Sequence, residues 1–443
     1  MEKLEDALKS RRLLLDGAMG SMIQTFGLSA QEYDGNNDAL VLLRPDIISS
    51  IHRQYLEAGA DIITTCSFSS QRISQAEYGM DGRIAELNHA AARLAREEAD
   101  RMTALTPDRP RFVLGDAGPS NRMLSMSDDA SDPAKRSISF DELEGAYTEQ
   151  ILALMEGNVD GILLETVFDT LNAKAGISAY CKASEKAGKT IPLLISMTIS
   201  DKSGRTLSGQ TVEAFVESVM HAGPLCIGMN CGLGAAGMLP YLRRMKEAIA
   251  GRAWMSCHPN AGLPDQFGAY TQSPGEMLEQ MKPMVEEDLC RILGGCCGTT
   301  PAHIKALEPL VHNLSKPAEL SPRRGNALTV SGLEAFSFDR STFVTVGERC
   351  NVAGSRKFLR LIGEKKYDEA LDIARAQAGK GAMVLDINMD DGLLDARAEM
   401  RTFLNLIASD PSVSRLPVMV DSSRFDVIEE GLKCCQGKCI VNS

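Results

Sequence analysis

Nowhere in the chain do 18 uncharged apolar residues run together, and the opening MEKLEDALKSRRLLLDG mixes charges where a secretory leader needs an apolar core. The sequence is therefore read as having neither a signal peptide nor a membrane span, and the cytosol is its expected setting. No run of lysine or arginine offers a track for phosphates, and 47 basic against 59 acidic residues give a net charge of −12. That balance excludes nucleic acid and anionic membrane as partners. A C-x-x-C frame is also missing among the 12 cysteines. Scattered over 443 residues and often set in apolar runs, these cysteines read as reduced thiols and metal ligands rather than a disulfide framework.

What is present is a repeat of short apolar runs and longer helical patterns. The runs are RLLLDGAMG, ADIITTCSF, RFVLGDAGPS, VDGILLETVFD, IPLLISMTIS, LCIGMNCG, AWMSCHPNAG and CRILGGCCGTTP. Between them lie segments such as PDIISSIHRQYLEAG and FDELEGAYTEQILALMEG, with apolar residues at helical spacing and a closing glycine. Eight strand-helix units over residues 1–312 predict an α/β fold, a (β/α)8 barrel of the TIM type. Asp16, Cys66, Asp116, Glu165, Asn230, Cys231, Cys296 and Cys297 all end their runs, which places them at the C-terminal face where such barrels carry active sites.

Residues 313–340 are mixed and polar, without a steady period, and read as a linker. A second alternation fills 341–443: FVTVGERCN, a helix over about 356–380, AMVLDINMDDG, a helix near 393–409, LPVMVDSS, a helix near 424–435, and CIVNS. Four parallel strands with an open edge are expected to be the first half of a second barrel, truncated from a longer polypeptide.

The vicinal pair Cys296-Cys297 sits between glycines and admits three readings: buried packing, a redox pair, or two ligands of one soft metal. Cys231 ends the sixth run, one strand away from the eighth, so three thiolates can converge on a Zn²⁺ with its fourth position open. Such a site strips the proton from a substrate thiol at neutral pH and prepares it for alkyl transfer. Cys226, Cys257 and Cys290 lie earlier in their strands and read as core, and Cys66 as packing. His258 is assigned to the loop after the seventh strand. The GLGAAG at 232–237 has dinucleotide-binding spacing, but no ribose-binding acid ends the next run, so its glycines are read as room for close approach. Asp16 and Glu165 together in a barrel mouth suit a substrate ammonium, while either alone reads equally well as a structural acid.

LLLDGAMG, ITTCSF, LLETVFD, MNCG and GGCCGTTP resemble the homocysteine S-methyltransferase domain over residues 10–312. The resemblance implies that Cys231, Cys296 and Cys297 bind zinc and activate homocysteine, and that Asp16 and Glu165 contact its amino-acid end. Asn230 and Ser67, in two of the same motifs, are counted with them as substrate contacts. TVGERCN, VLDINMDDG, VMVDSS and IVNS resemble the pterin-binding domain that follows the homocysteine domain in cobalamin-dependent methionine synthases. By that likeness Asp421 and Asn442 hydrogen-bond the pterin of methyltetrahydrofolate, with Asp386 and Asn388 in the same pocket. No D-x-H-x-x-G cobalamin signature occurs, so cobalamin is expected on a separate domain or protein. The competing readings are a homocysteine methyltransferase with another donor, such as betaine or S-methylmethionine, and a zinc-stabilised binding module without turnover.

Overall fold

The structure is a computed structural model and describes residues 2–314, 316–322 and 327–443. Eight parallel strands form the first unit: β1 Leu13–Leu14, β2 Ile62–Thr64, β3 Phe112–Ala117, β4 Gly161–Val167, β5 Leu193–Met197, β6 Cys226–Gly234, β7 Trp254–Asn260 and β8 Ile292–Leu293. Their order is β1-β8-β7-β6-β5-β4-β3-β2, and a parallel bridge from Leu15 to Ile62 joins the two ends into the expected barrel. The strands are apolar on both faces because both are covered. Leu13, Leu114, Leu163, Leu194 and Ile292 fill the interior, while the outward residues pack under the helices.

The helix Leu4–Ser10 plugs the N-terminal mouth with Leu4 and Leu8. Buried Arg291 pins it by donating from Nε to the Leu8 carbonyl at 3.0 Å, with its guanidinium 5.3 Å above the Trp254 ring. With that end sealed, only the C-terminal mouth is open to ligands. Among the described residues no helix is long and apolar enough to cross a membrane.

The stretch read as linker carries an antiparallel hairpin, β9 Leu328–Ser331 and β10 Ala335–Phe338. Beyond it, β11 Val346–Asn351, β12 Val384–Asn388, β13 Val418–Asp421 and β14 Ile440–Asn442 form a parallel sheet in sequence order. The single helix expected over 356–380 is two, Arg356–Gly363 and Tyr367–Gly379, broken where Lys365 turns to φ +58°.

The hairpin fastens the two units together. Its turn accepts hydrogen bonds from the barrel, Thr211 N to Leu333 O at 3.0 Å and Gln210 Nε2 to Gly332 O at 2.8 Å. On the other side Leu333 N donates to Ser414 O at 2.9 Å and Ser331 N to Lys438 O at 3.0 Å. Ser208 with Gln436, Asn405 with Ala134 and Lys433 with Asp141 join the units directly. The seam is tight at Gly437, where an added Cβ would lie 1.9 Å from the Ser331 carbonyl oxygen. Gly437→Ala is therefore expected to cost about 1–3 kcal/mol and to expose the hairpin to protease. Digestion and melting at unchanged rate and midpoint would show that the seam absorbs a methyl group.

Candidate metal and substrate site

Cys231, Cys296 and Cys297 converge at the open mouth, their sulfurs all within 4.8 Å of one another and Cys231 Sγ 3.8 Å from Cys297 Sγ. Tetrahedral thiolates on zinc at about 2.3 Å stand roughly 3.8 Å apart, so the set fits one such ion. Two backbone devices bring them together. Pairing of β6 with β7 slips between Asn230 and Gly234, and within that slip Cys231 takes φ +56°, a left-handed conformation that a non-glycine residue holds only under constraint. After β8, Gly294 and Gly295 leave room that a side chain would fill, since a Cβ on Gly295 would sit 2.5 Å from Thr299 Oγ1. Hydrogen bonds from its two neighbours depress the Cys231 thiol pKa, and the same contacts raise those of Cys296 and Cys297. The metal-free cluster thus favours one thiolate, and a cation is needed to hold three.

Beside the sulfurs lies a cavity of about 530 Å³ whose wall includes Asp16, Asp38, Asp116, Glu165 and His258, with no lysine or arginine. Asp16 accepts from Thr64 N at 2.9 Å, yet burial raises its pKa to about 8. Burial, followed by the charges of Asp16 and Cys231, brings Glu165 to about 8 as well. Among the described residues the walls are short of positive charge, which a cationic ligand would supply.

A pKa above the ordinary 3.8 means that folded Asp16 keeps a proton the unfolded chain releases. Its contribution to stability is complete below about pH 4 and is lost as pH rises toward 8. Metal-free Asp16→Asn is therefore expected to melt several degrees above the parent near pH 8 and no higher near pH 4. Equal melting shifts at both pH values would contradict this.

Two residues expected to touch substrate have their side-chain hydrogen bonds made within the protein. Asn230 is fully buried and saturated: Oδ1 accepts from Thr166 N at 3.0 Å and Ser196 Oγ at 2.7 Å, while Nδ2 donates to Thr166 Oγ1 at 2.7 Å and Glu165 Oε2 at 3.4 Å. It holds Thr166 at φ +56° and positions Glu165 and Cys231 from below. Ser67 lies in the wall, but its hydroxyl donates to Asp116 O at 2.7 Å and lies 2.6 Å from Thr65 Oγ1. His258 is not a loop residue: it lies within β7, 3% exposed, with Nδ1 3.6 Å from Glu165 Oε2. Cys226, Cys257 and Cys290 are core as read, whereas buried Cys66 also reaches the cavity wall.

Three neighbours escaped the sequence reading. Asp38 is held by Ser69 N and Ser70 Oγ, and burial raises it to about 6. The Asn260 amide lies against the Cys231 sulfur, its Oδ1 buried without a partner. Tyr270 meets Cys297 from a loop that passes over Gly298, where a Cβ would strike the Tyr270 ring at 2.3 Å.

A second cavity, of about 640 Å³, opens at the strand ends of the four-stranded sheet and is lined by Glu348, Arg349, Asn351, Gln377, Asp386, Asp421 and Asn442 among others. Asp421 gathers three amides: Asn388 Nδ2 at 2.9 Å, Asn442 Nδ2 at 3.0 Å and Asn351 Nδ2 at 3.4 Å. Asp386 accepts from Asn351 at 3.0 Å, and its Oδ1 is buried with no donor. Asn388 stands behind Asp421 rather than in the wall, its Oδ1 accepting from Asp390 N at 2.8 Å.

The family model for homocysteine S-methyltransferase matches residues 13–311, and that for pterin binding enzymes matches 347–443. Among solved structures, the metallated form of the Escherichia coli homocysteine methyltransferase MmuM superposes with a TM-score of 0.54 at 22% identity, covering 68% of this chain and 96% of that one. Its oxidized form gives 0.54 at 21% identity, over 67% and 95%. At that identity the likeness speaks for the fold alone. With the three-cysteine mouth in place and the family model spanning two thirds of its length, the chain belongs to the homocysteine S-methyltransferase family and carries a pterin-binding domain after the barrel.

Proposed function

We propose that the chain is the homocysteine- and methyltetrahydrofolate-binding part of a cobalamin-dependent methionine synthase. The observation that carries this reading is the convergence of three thiols, within 4.8 Å, on the rim of an acid-walled cavity. Cys231, Cys296 and Cys297 would hold the zinc. When bound there, zinc supplies the Lewis acidity that keeps a substrate thiol ionised at neutral pH. The acids do the orienting: Asp16 and Glu165 take the α-ammonium, so the substrate sulfur points toward the cysteines. The sealed lower mouth keeps bulk water off the barrel side of the site. The substrate sulfur would then take the methyl group that methylcobalamin supplies, the cobalt–carbon bond breaking with its electron pair left on cobalt, to give methionine. In the second unit, Asp386, Asp421 and Asn442 offer acid and amide edges matched to the N–H and carbonyl groups of a pterin, whose N5-methyl group would be the methyl source for cobalamin.

The test is methionine formation by the zinc-loaded chain from L-homocysteine and added methylcobalamin, run beside X-ray absorption at the zinc edge. Replacement of a light-atom ligand by a fourth sulfur on adding homocysteine, together with turnover, would support the reading. An unchanged zinc shell, or turnover with betaine or S-methylmethionine and none with methylcobalamin, would overturn it.

A further inference from the structure

The carboxyl of Asp116 has no structural employment. Its main chain is fixed without it, since the amide N donates to Thr65 Oγ1 at 2.9 Å and the carbonyl accepts from Ser67 Oγ at 2.7 Å and Gln150 Nε2 at 3.4 Å. The side chain is a different matter. Asp116 is 4% exposed and lines the cavity, and no N–H or hydroxyl among the described residues donates to its carboxyl. Burial, followed by the charges of Glu165, Asp38 and Asp16 in the same cavity wall, raises its pKa well above the ordinary carboxylate range. Burying an acid among acids costs stability, and nothing in the fold offsets it.

We propose that Asp116 is a substrate-binding residue that joins Glu165 in taking the α-ammonium of an amino-acid thiol. This rests on the reading of the cavity as the homocysteine site and adds a specificity determinant to it. A primary ammonium carries three N–H donors, and the three acids at this wall, Asp16, Asp116 and Glu165, supply acceptors in matching number. An acylated nitrogen has one donor and no charge, so the same wall rejects it, and a thiol acid that lacks the nitrogen gains nothing from Asp116.

The experiment is calorimetric titration of the zinc-loaded full chain with L-homocysteine and with 4-mercaptobutanoate, which keeps the thiol and the carboxylate but has no ammonium. Asp116→Asn is expected to weaken homocysteine about 10-fold or more and to leave 4-mercaptobutanoate within about 2-fold, at unchanged zinc content and a melting temperature no lower than the parent's. Asp116→Ser gives the same readout should the amide variant unfold. Equal weakening of both ligands, or of neither, overturns the assignment while leaving the site reading intact. A parent protein that binds no homocysteine overturns both.

Discussion

Cys296→Ala is expected to lose its metal and to transfer methyl groups to homocysteine roughly a thousandfold more slowly than the parent. The size follows from two losses. A free thiol of pKa about 8.5 is only about 3% ionised at pH 7, so removing the cation that strips its proton costs about 30-fold. The remaining 10- to 100-fold comes from orientation, because the substrate sulfur is no longer anchored beside the acceptor path. Two sulfurs cannot substitute for three here: Cys231 and Cys297 stand 3.8 Å apart, and half-buried Cys296 is the third sulfur of the cluster. Metal analysis of parent and variant purified side by side, followed by the methylcobalamin assay, decides the matter. A variant that keeps its zinc and its rate would return the cysteines to packing.

Asp421→Ala should weaken methyltetrahydrofolate binding by about a hundredfold or more and leave methyl transfer to homocysteine alone. Asp421 holds Asn388, Asn442 and Asn351 through one carboxylate. Truncating it removes a pterin partner and frees three amides that define the pocket's shape, each worth about 1–3 kcal/mol when left unsatisfied. The barrel cysteines belong to a different sheet, so zinc content and methyl transfer from added methylcobalamin are expected to stay within about 2-fold of the parent. Equilibrium binding of methyltetrahydrofolate and the homocysteine assay, measured on the same preparation, report the two sites separately. Intact folate binding would remove Asp421 from the pocket, and a parallel loss at both sites would mean that they are not independent.

The barrel could be read from the sequence because its strands are apolar on both faces and several helices bring their own start, such as the capping box of Ser139 and Glu142. The three cysteines were readable for a related reason, since strand ends in a parallel barrel face one mouth. What the sequence hid is what depends on closure. Asp38, which ends no strand, joins the acid wall of Asp16, Asp116 and Glu165 only when the loop after the first strand folds over the mouth. Asn230 looked like a contact residue because it precedes Cys231, but the left-handed turn at Cys231 carries the backbone past it and leaves its amide spent on Thr166 and Ser196. The hairpin did leave a trace. LTVS and AFSF flank a Gly-Leu-Glu turn, yet the polar surroundings of 313–340 outweigh two four-residue strands in any pattern reading.

The seam that the hairpin closes has a kinetic meaning. Ser331, Leu333, Gln436 and Asn405 are bonded across it, so changing the separation between the two cavities would require breaking these hydrogen bonds. On the proposed reading, a tethered carrier that takes a methyl group from one to the other would have to make the journey itself. Its local concentration at each cavity is then governed by the reach of its own tether, highest when that reach matches the fixed span and falling as about the −3/2 power of any excess length. Loosening the seam would turn one well-defined distance into a distribution, so the transfer step, though far from either cavity, would feel a substitution as small as a methyl group at Gly437.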